Sequence, residues 1–156
     1  TLIRRATAED ASAIADLTRR AFASQALLYE DDSLPPLADT AQSVAAEIST
    51  GWVVLVAEVD GVLVGSIRGV LRDATCHVGR LVVEPDLQGR GLGRSLAMQL
   101  EACFPDAERF EIFTGHRSEP ALGLYESLGY SRERVIPVHE RLSLIILGKP
   151  GDSSRT

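Results

Sequence analysis

Residues 81–100 read LVVEPDLQGRGLGRSLAMQL. The apolar run ahead of Glu84 has strand character, and Pro85 stops it. Gly89, Gly91 and Gly93 then alternate through a turn. Leu92, Leu96, Leu100 and, further on, Cys103 recur at the spacing of one helix face. Glycine lets a backbone turn tightly and approach a ligand with no Cβ in the way. The first amides of the helix have no partner within it, and the helix dipole adds positive character there. Strand, glycine turn and helix start together make a cradle for an anionic group. A diphosphate is the natural occupant, with Arg90 and Arg94 as added charge.

Other cradles fit less well. A nucleotide-hydrolysing P-loop needs Gly-Lys-Ser/Thr, whereas Gly93 is followed by Arg94 and Ser95. A dinucleotide site needs GxGxxG near the first strand and an acid about 20 residues later. Here the loop lies past mid-chain and the spacing fails. Taken alone, the segment is also compatible with a loop that merely turns the chain.

Working outward, residues 2–6 read as a first strand, and Thr7 with Asp10 gives a local capping signal. Ile14, Leu17, Ala21 and Phe22 predict a first helix. Residues 24–39 hold Asp31, Asp32, Pro35 and Pro36 and read as a loop, followed by a second helix over 41–49. Two β-rich runs flank Asp60-Gly61, a strong hairpin signal. A strand over 76–84 leads into the glycine loop. After its helix come a strand at 109–114, a helix at 119–128 stopped by Gly129, and strands near 132–136 and 140–147. The chain from Lys149 onward is expected to fray. No repeat or linker appears, so residues 1–150 are expected to form one domain with a polar tail at 151–156. The element order implies an α/β or α+β fold, a mixed sheet with helices on both faces.

The chain has 156 residues, 45% hydrophobic, with a formal charge of −6. That charge argues against nucleic acid, which needs a concentrated Lys/Arg surface. No run nears the roughly 18 apolar residues of a membrane span, and the N-terminus has no apolar signal core, so a soluble, cytoplasmic protein is expected. Cys76 and Cys103 belong to no CxxC or Cys/His cluster and read as free thiols, with no metal site. The apolar segment LSLIIL at 142–147 suits pairing along an exposed edge, which would make a homodimer, as well as it suits filling the core.

QGRGLG at 88–93 matches the Q/R-x-x-G-x-G/A signature of the GNAT superfamily of N-acetyltransferases. ALGLYESLGY at 121–130 resembles that family's later motif, a helix carrying a Tyr that leads into a G-F/Y strand start. The two stand in the family's order and spacing, and the resemblance spans almost the whole chain. It implies a mixed, mostly antiparallel sheet of six to seven strands flanked by about four helices. It implies acetyl-CoA as acyl donor, its pyrophosphate on the amides of Gln88, Gly89, Arg90, Gly91, Gly93 and Arg94. The pantetheine arm would lie between two splayed strands, bonded by the backbone of Leu81 and Val83.

Tyr125 occupies the position of the family's usual general acid, although Ala121, Leu124, Tyr125 and Leu128 share one helix face and the ring also suits a core. His77 aligns with a frequent glutamate base, and a histidine titrates near neutrality. His116 is a second candidate for the base, and Glu84 reads as structural. Ser118 stands where the family often has an Asn bonding the CoA arm, and it suits a helix N-cap equally. The acceptor implied is a small-molecule amine. Tyr29, Glu30, Asp31 and Asp32 either attract that cation or form a solvated loop. A protein or peptide N-acetyltransferase and an acyl-CoA-binding regulatory module without turnover are the competing functions.

Overall fold

The computed structural model describes residues 1–152. Among these residues, seven strands form one sheet: β1 (Leu2–Arg5), β2 (Val53–Val59), β3 (Val62–Arg72), β4 (Thr75–Val83), β5 (Arg109–Gly115), β6 (Ser131–His139) and β7 (Leu142–Pro150). Their order is β1-β2-β3-β4-β5-β7-β6. Strands β4 and β5 run parallel; every other neighbouring pair of the seven is antiparallel. Four helices of the described residues cover the sheet: α1 (Ala11–Tyr29), α2 (Ala41–Ser49), α3 (Leu92–Ala102) and α4 (Glu119–Ser127). The seven-stranded mixed sheet with four helices is the architecture that the resemblance implies.

Strand β2 shows how the core divides. Its residues alternate between faces, so Val53, Leu55 and Ala57 join the core under α3 and α4, while Val54 and Val56 join that under α1 and α2. A strand buried on both sides reads as an unbroken apolar run, VVLVA. The hairpin from β2 to β3 turns at Asp60 and Gly61, both at positive φ, as the sequence signal requires. At the N-terminus the Asp10 carboxylate accepts the Thr7 amide at 2.8 Å, so the capping signal is real. Both cysteines are free thiols, and burial pushes that of Cys76 up to about 12.

Three expectations need correction. The first helix runs on through the expected loop start at Ser24 to Tyr29, ending at Glu30 in the left-handed region. No Gly or Pro interrupts residues 24–29, and the Tyr29 ring is buried at the far end, which secures the last turn. The segment LSLIIL lies inside the sheet, because β7 sits between β5 and β6. Leu142, Ile145, Ile146 and Leu147 are buried there, and the free edge belongs to β6. The chain from Lys149 does not fray at once: Lys149 and Pro150 pair with Phe110 and Arg109, and the Gly151 amide bonds the Glu108 carbonyl. Residues 153–156 of the expected tail lie outside the described residues. Among the described residues no helix is long and apolar enough to cross a membrane.

Candidate active site

The two parallel strands meet over only four pairs, from Thr75↔Arg109 to Val78↔Ile112. Beyond them β4 and β5 part and leave a fork in the sheet. The cause is a bulge in β4. Gly79 opposes Arg68 and Val82 opposes Ser66, so three steps on β4 match two on β3, and Arg80 and Leu81 have no ladder partner. Arg80 takes a φ of 53°, uncommon for a side-chain-bearing residue. Its guanidinium reaches the Asp39 carboxylate at 3.3 Å, which also takes Arg68 at 2.8 Å. Arg68 is buried to 1% exposure, bonds Glu47 as well, and keeps an Nε with no partner among the described residues. A charged clamp thus holds the bulge to the segment between α1 and α2.

Past the bulge, the Glu84 amide bonds Val64 of β3 at 2.8 Å. Peptide groups alternate along a strand, so those of Val83 turn toward the fork. The Gln88 side chain donates to the Val83 carbonyl at 3.1 Å, which leaves the Val83 amide as the group open to a ligand.

The glycine loop lies at the mouth of this fork. Gly89 and Gly91 sit at φ 77° and 85°, and a Cβ at either would meet open space. Their need is conformational, not steric. Gly93 differs: a Cβ there would lie 3.4 Å from Leu124, so this position lets α3 approach α4. The first helical bond runs from Ser95 to Gly91, and the amides of residues 89–94 have no partner among the described residues. These unpaired donors and a helix N-terminus converge on one spot. Arg94 bridges from there to the Ser127 hydroxyl on α4 at 2.9 Å, while Arg90 is exposed.

Tyr125 projects from α4 into the core beneath the fork and is 6% exposed, its ring edge-on to Tyr130 at 6.1 Å. Burial raises its phenol above the ordinary tyrosine value, so it stays protonated at neutral pH. Its hydroxyl has no hydrogen-bond partner among the described residues.

Ser118 stands at the N-cap of α4, but its side chain does not cap the helix. The Arg117 amide donates to the Tyr29 hydroxyl, Tyr29 lies 2.8 Å from Ser118 Oγ, and Ser118 donates to Gln25 Oε1 at 2.7 Å. Tyr29 fills the space over Gly115, where a Cβ would collide with its hydroxyl. Sequence reasoning passed over the roles of Tyr29 and Gln25, whose partners lie about ninety positions away with no local signal.

The histidines separate clearly. His77 lies in the paired part of β4, half-exposed on the face opposite Cys76 and Val78, with Nδ1 4.0 Å from Glu111. His116 Nδ1 lies 2.9 Å from the Ser143 amide and 3.1 Å from the Ser143 carbonyl, so Ser143 engages that ring nitrogen in either tautomer. His139 takes the Arg141 amide on Nδ1 and faces Asp31 at 2.8 Å. Asp31 is therefore paired, while Glu84 bonds Arg20 of α1.

A sheet opened between its two parallel strands, with free amides at the mouth, defines a protein that holds a long ligand with an anionic end. Comparisons agree. The profile of the acetyltransferase (GNAT) family matches residues 12–130. An acetyltransferase of Yersinia enterocolitica is 30% identical over 125 residues, covering 78% of this chain and 89% of that protein. An acetyltransferase of Salmonella typhimurium, solved with acetyl-CoA, superposes with TM-score 0.78 at 24% identity, covering 97% of this chain and 94% of that one. The ribosomal-protein-alanine N-acetyltransferase of Brucella melitensis superposes with TM-score 0.78 at 23% identity, covering 96% and 99%. The chain belongs to the acetyltransferase (GNAT) family.

Proposed function

We propose that this acetyltransferase moves the acetyl group of acetyl-CoA onto the primary amine of a small molecule. The observation that carries the reading is a pair of open backbone stretches in one groove, the unladdered strand at the fork and the unpaired amides of residues 89–94 at the helix start. The CoA pyrophosphate lies on the amides of Gly89, Arg90, Gly91, Gly93 and Arg94, while that of Gln88, expected to join them, bonds the Pro85 carbonyl at 3.3 Å. The pantetheine arm enters the fork, where backbone groups of Leu81 and Val83 bond it. An amide donor facing the thioester oxygen there stabilises the oxyanion that forms on attack.

In the reaction the amine nitrogen attacks the thioester carbon, a C–N bond forms, and the C–S bond breaks. One proton must leave the nitrogen and one must reach the sulfur. Tyr125 gives its proton to the departing thiolate, a role that its unpartnered hydroxyl supports. With the neutral amine as nucleophile, His77 takes the proton that the attacking nitrogen sheds, directly or through water, and its half-exposed ring allows it. Ser118 lines the arm, its orientation set by Tyr29 and Gln25.

A thiol-release assay over a panel of primary amines tests the reading. Amine-dependent release of CoA is expected. Tight acetyl-CoA binding with no release for any amine would make the chain a binding module, and release only with peptide N-termini would move the acceptor to proteins.

A further inference from the structure

We propose that the acceptor is a primary amine carried on an apolar body, and that Phe113 is the residue that selects it. This inference rests on the N-acetyltransferase reading above. The cofactor loop and α4 occupy one face of the sheet, so an amine reaches the acyl carbon from the other face.

On that other face, α1 and α2 cover β2 and β3, and the last turn of α1 rests over Gly115. The strands β5, β7 and β6 beyond are not covered in the same way, and β6 is exposed along almost its whole length. Residues directly opposite each other in antiparallel strands share a face. Phe113 opposes Ile146, which opposes Arg134; Gly115 opposes Leu144, which opposes Ile136. Phe113, Leu144 and Ile136 therefore form one apolar wall, with Phe113 56% and Ile136 39% exposed.

The position of Phe113 is specific. Ile112 makes the last parallel pair with β4, so Phe113 is the first residue of β5 beyond the parting of the strands. It shares a face with Glu111, two residues earlier, and Glu111 lies opposite His77. An amine held against Phe113 is thus beside both the fork and the proposed base.

The charges on the wall's own strands are already matched, while Glu30 and Asp32 at the end of α1 are exposed. Arg109 bonds Glu111 and Glu133 at 2.8 and 2.7 Å, and Arg134 lies 3.9 Å from Glu111. Across the opening, Asp31 pairs with His139. A polyamine would therefore meet paired carboxylates at the wall, whereas an aromatic or alkyl amine meets an open apolar surface.

The test compares kcat/KM for phenethylamine and hexylamine with that for putrescine and ethanolamine, by thiol release, in the wild type and in Phe113→Ser. The apolar amines are expected to exceed the polar ones by about tenfold or more, the range that an apolar pocket gives. In Phe113→Ser that ratio falls at least tenfold through KM, while calorimetry shows unchanged acetyl-CoA affinity. Equal kcat/KM across the panel, or an unchanged ratio in the variant, would overturn the proposal and leave the enzyme reading standing. No release with any amine, acetyl-CoA being bound, would overturn both. Light scattering tests the remaining alternative: two chains in the wild type and one in Phe113→Ser would assign the wall to a second copy instead.

Discussion

Tyr125 meets two demands that usually compete. Its ring fills core space against Tyr130, yet its hydroxyl makes no bond among the described residues and remains available to a ligand. Tyr125→Phe keeps the ring and removes only the proton donor. Turnover is expected to fall roughly 10²–10⁴-fold, with acetyl-CoA affinity and melting temperature little changed. A wild-type rate at saturating acetyl-CoA would leave the ring a packing residue and nothing more. Tyr29 gives a contrasting case. Tyr29→Phe orphans the Arg117 amide and leaves Ser118 with Gln25 alone, so urea unfolding should show a loss of about 1–3 kcal/mol. An unchanged midpoint would mean that water replaces the hydroxyl. Tyr125 was legible because its neighbours in sequence form a recognisable motif. Tyr29 was not, because burial and partnership across the fold leave no mark on a linear stretch.

At the scale of elements, the bulge in β4 and its clamp open the fork. Asp39 sits between two arginines, one of them almost wholly buried. Removing a partner from a buried ion pair leaves an uncompensated charge, so Asp39→Ala should cost about 3–5 kcal/mol in denaturant unfolding. A loss below about 1 kcal/mol would show that Glu47 alone can hold Arg68. The N-terminal clasp acts in a different pH range. Arg4 above all, then the Thr7 amide, hold the Asp10 carboxyl down at about 2, against an ordinary value near 3.8. A depressed carboxyl contributes stability above its unfolded value and loses it as pH falls from about 4 toward 2. Asp10→Asn should therefore lower stability at pH 7 by on the order of 1 kcal/mol and flatten part of the acid limb. Identical acid curves for the two proteins would remove the clasp from the account. Glycine loop and hairpin were readable because Gly and Asp-Gly signal a backbone geometry directly. The bulge was only hinted at by Gly79 inside the strand, because the Asp39 that clamps Arg80 lies 41 positions away.

For the whole molecule, the order of elements carried the architecture, since alternating strands and helices permit few layered folds. Composition alone left open where the most apolar strand would go. The segment at 142–147 reads the same whether it forms an edge or an interior strand, and only the pairing of β7 with both β5 and β6 decides it. The exposed edge strand β6 instead carries Arg132, Glu133, Arg134 and Pro137, residues that discourage further pairing. The parallel junction of the sheet is also where it opens.

We propose that acetyl-CoA lies in this fork with its diphosphate on the loop amides. Titration calorimetry with acetyl-CoA tests it on three proteins: wild type, Gly91→Ala and Gly91→Asp. Alanine at φ 85° reports backbone strain alone, and aspartate adds a negative charge where the diphosphate is placed. Binding by the wild type is expected, with affinity at least tenfold weaker in Gly91→Asp and weaker there than in Gly91→Ala. Wild-type affinity in a folded Gly91→Asp protein would contradict the account.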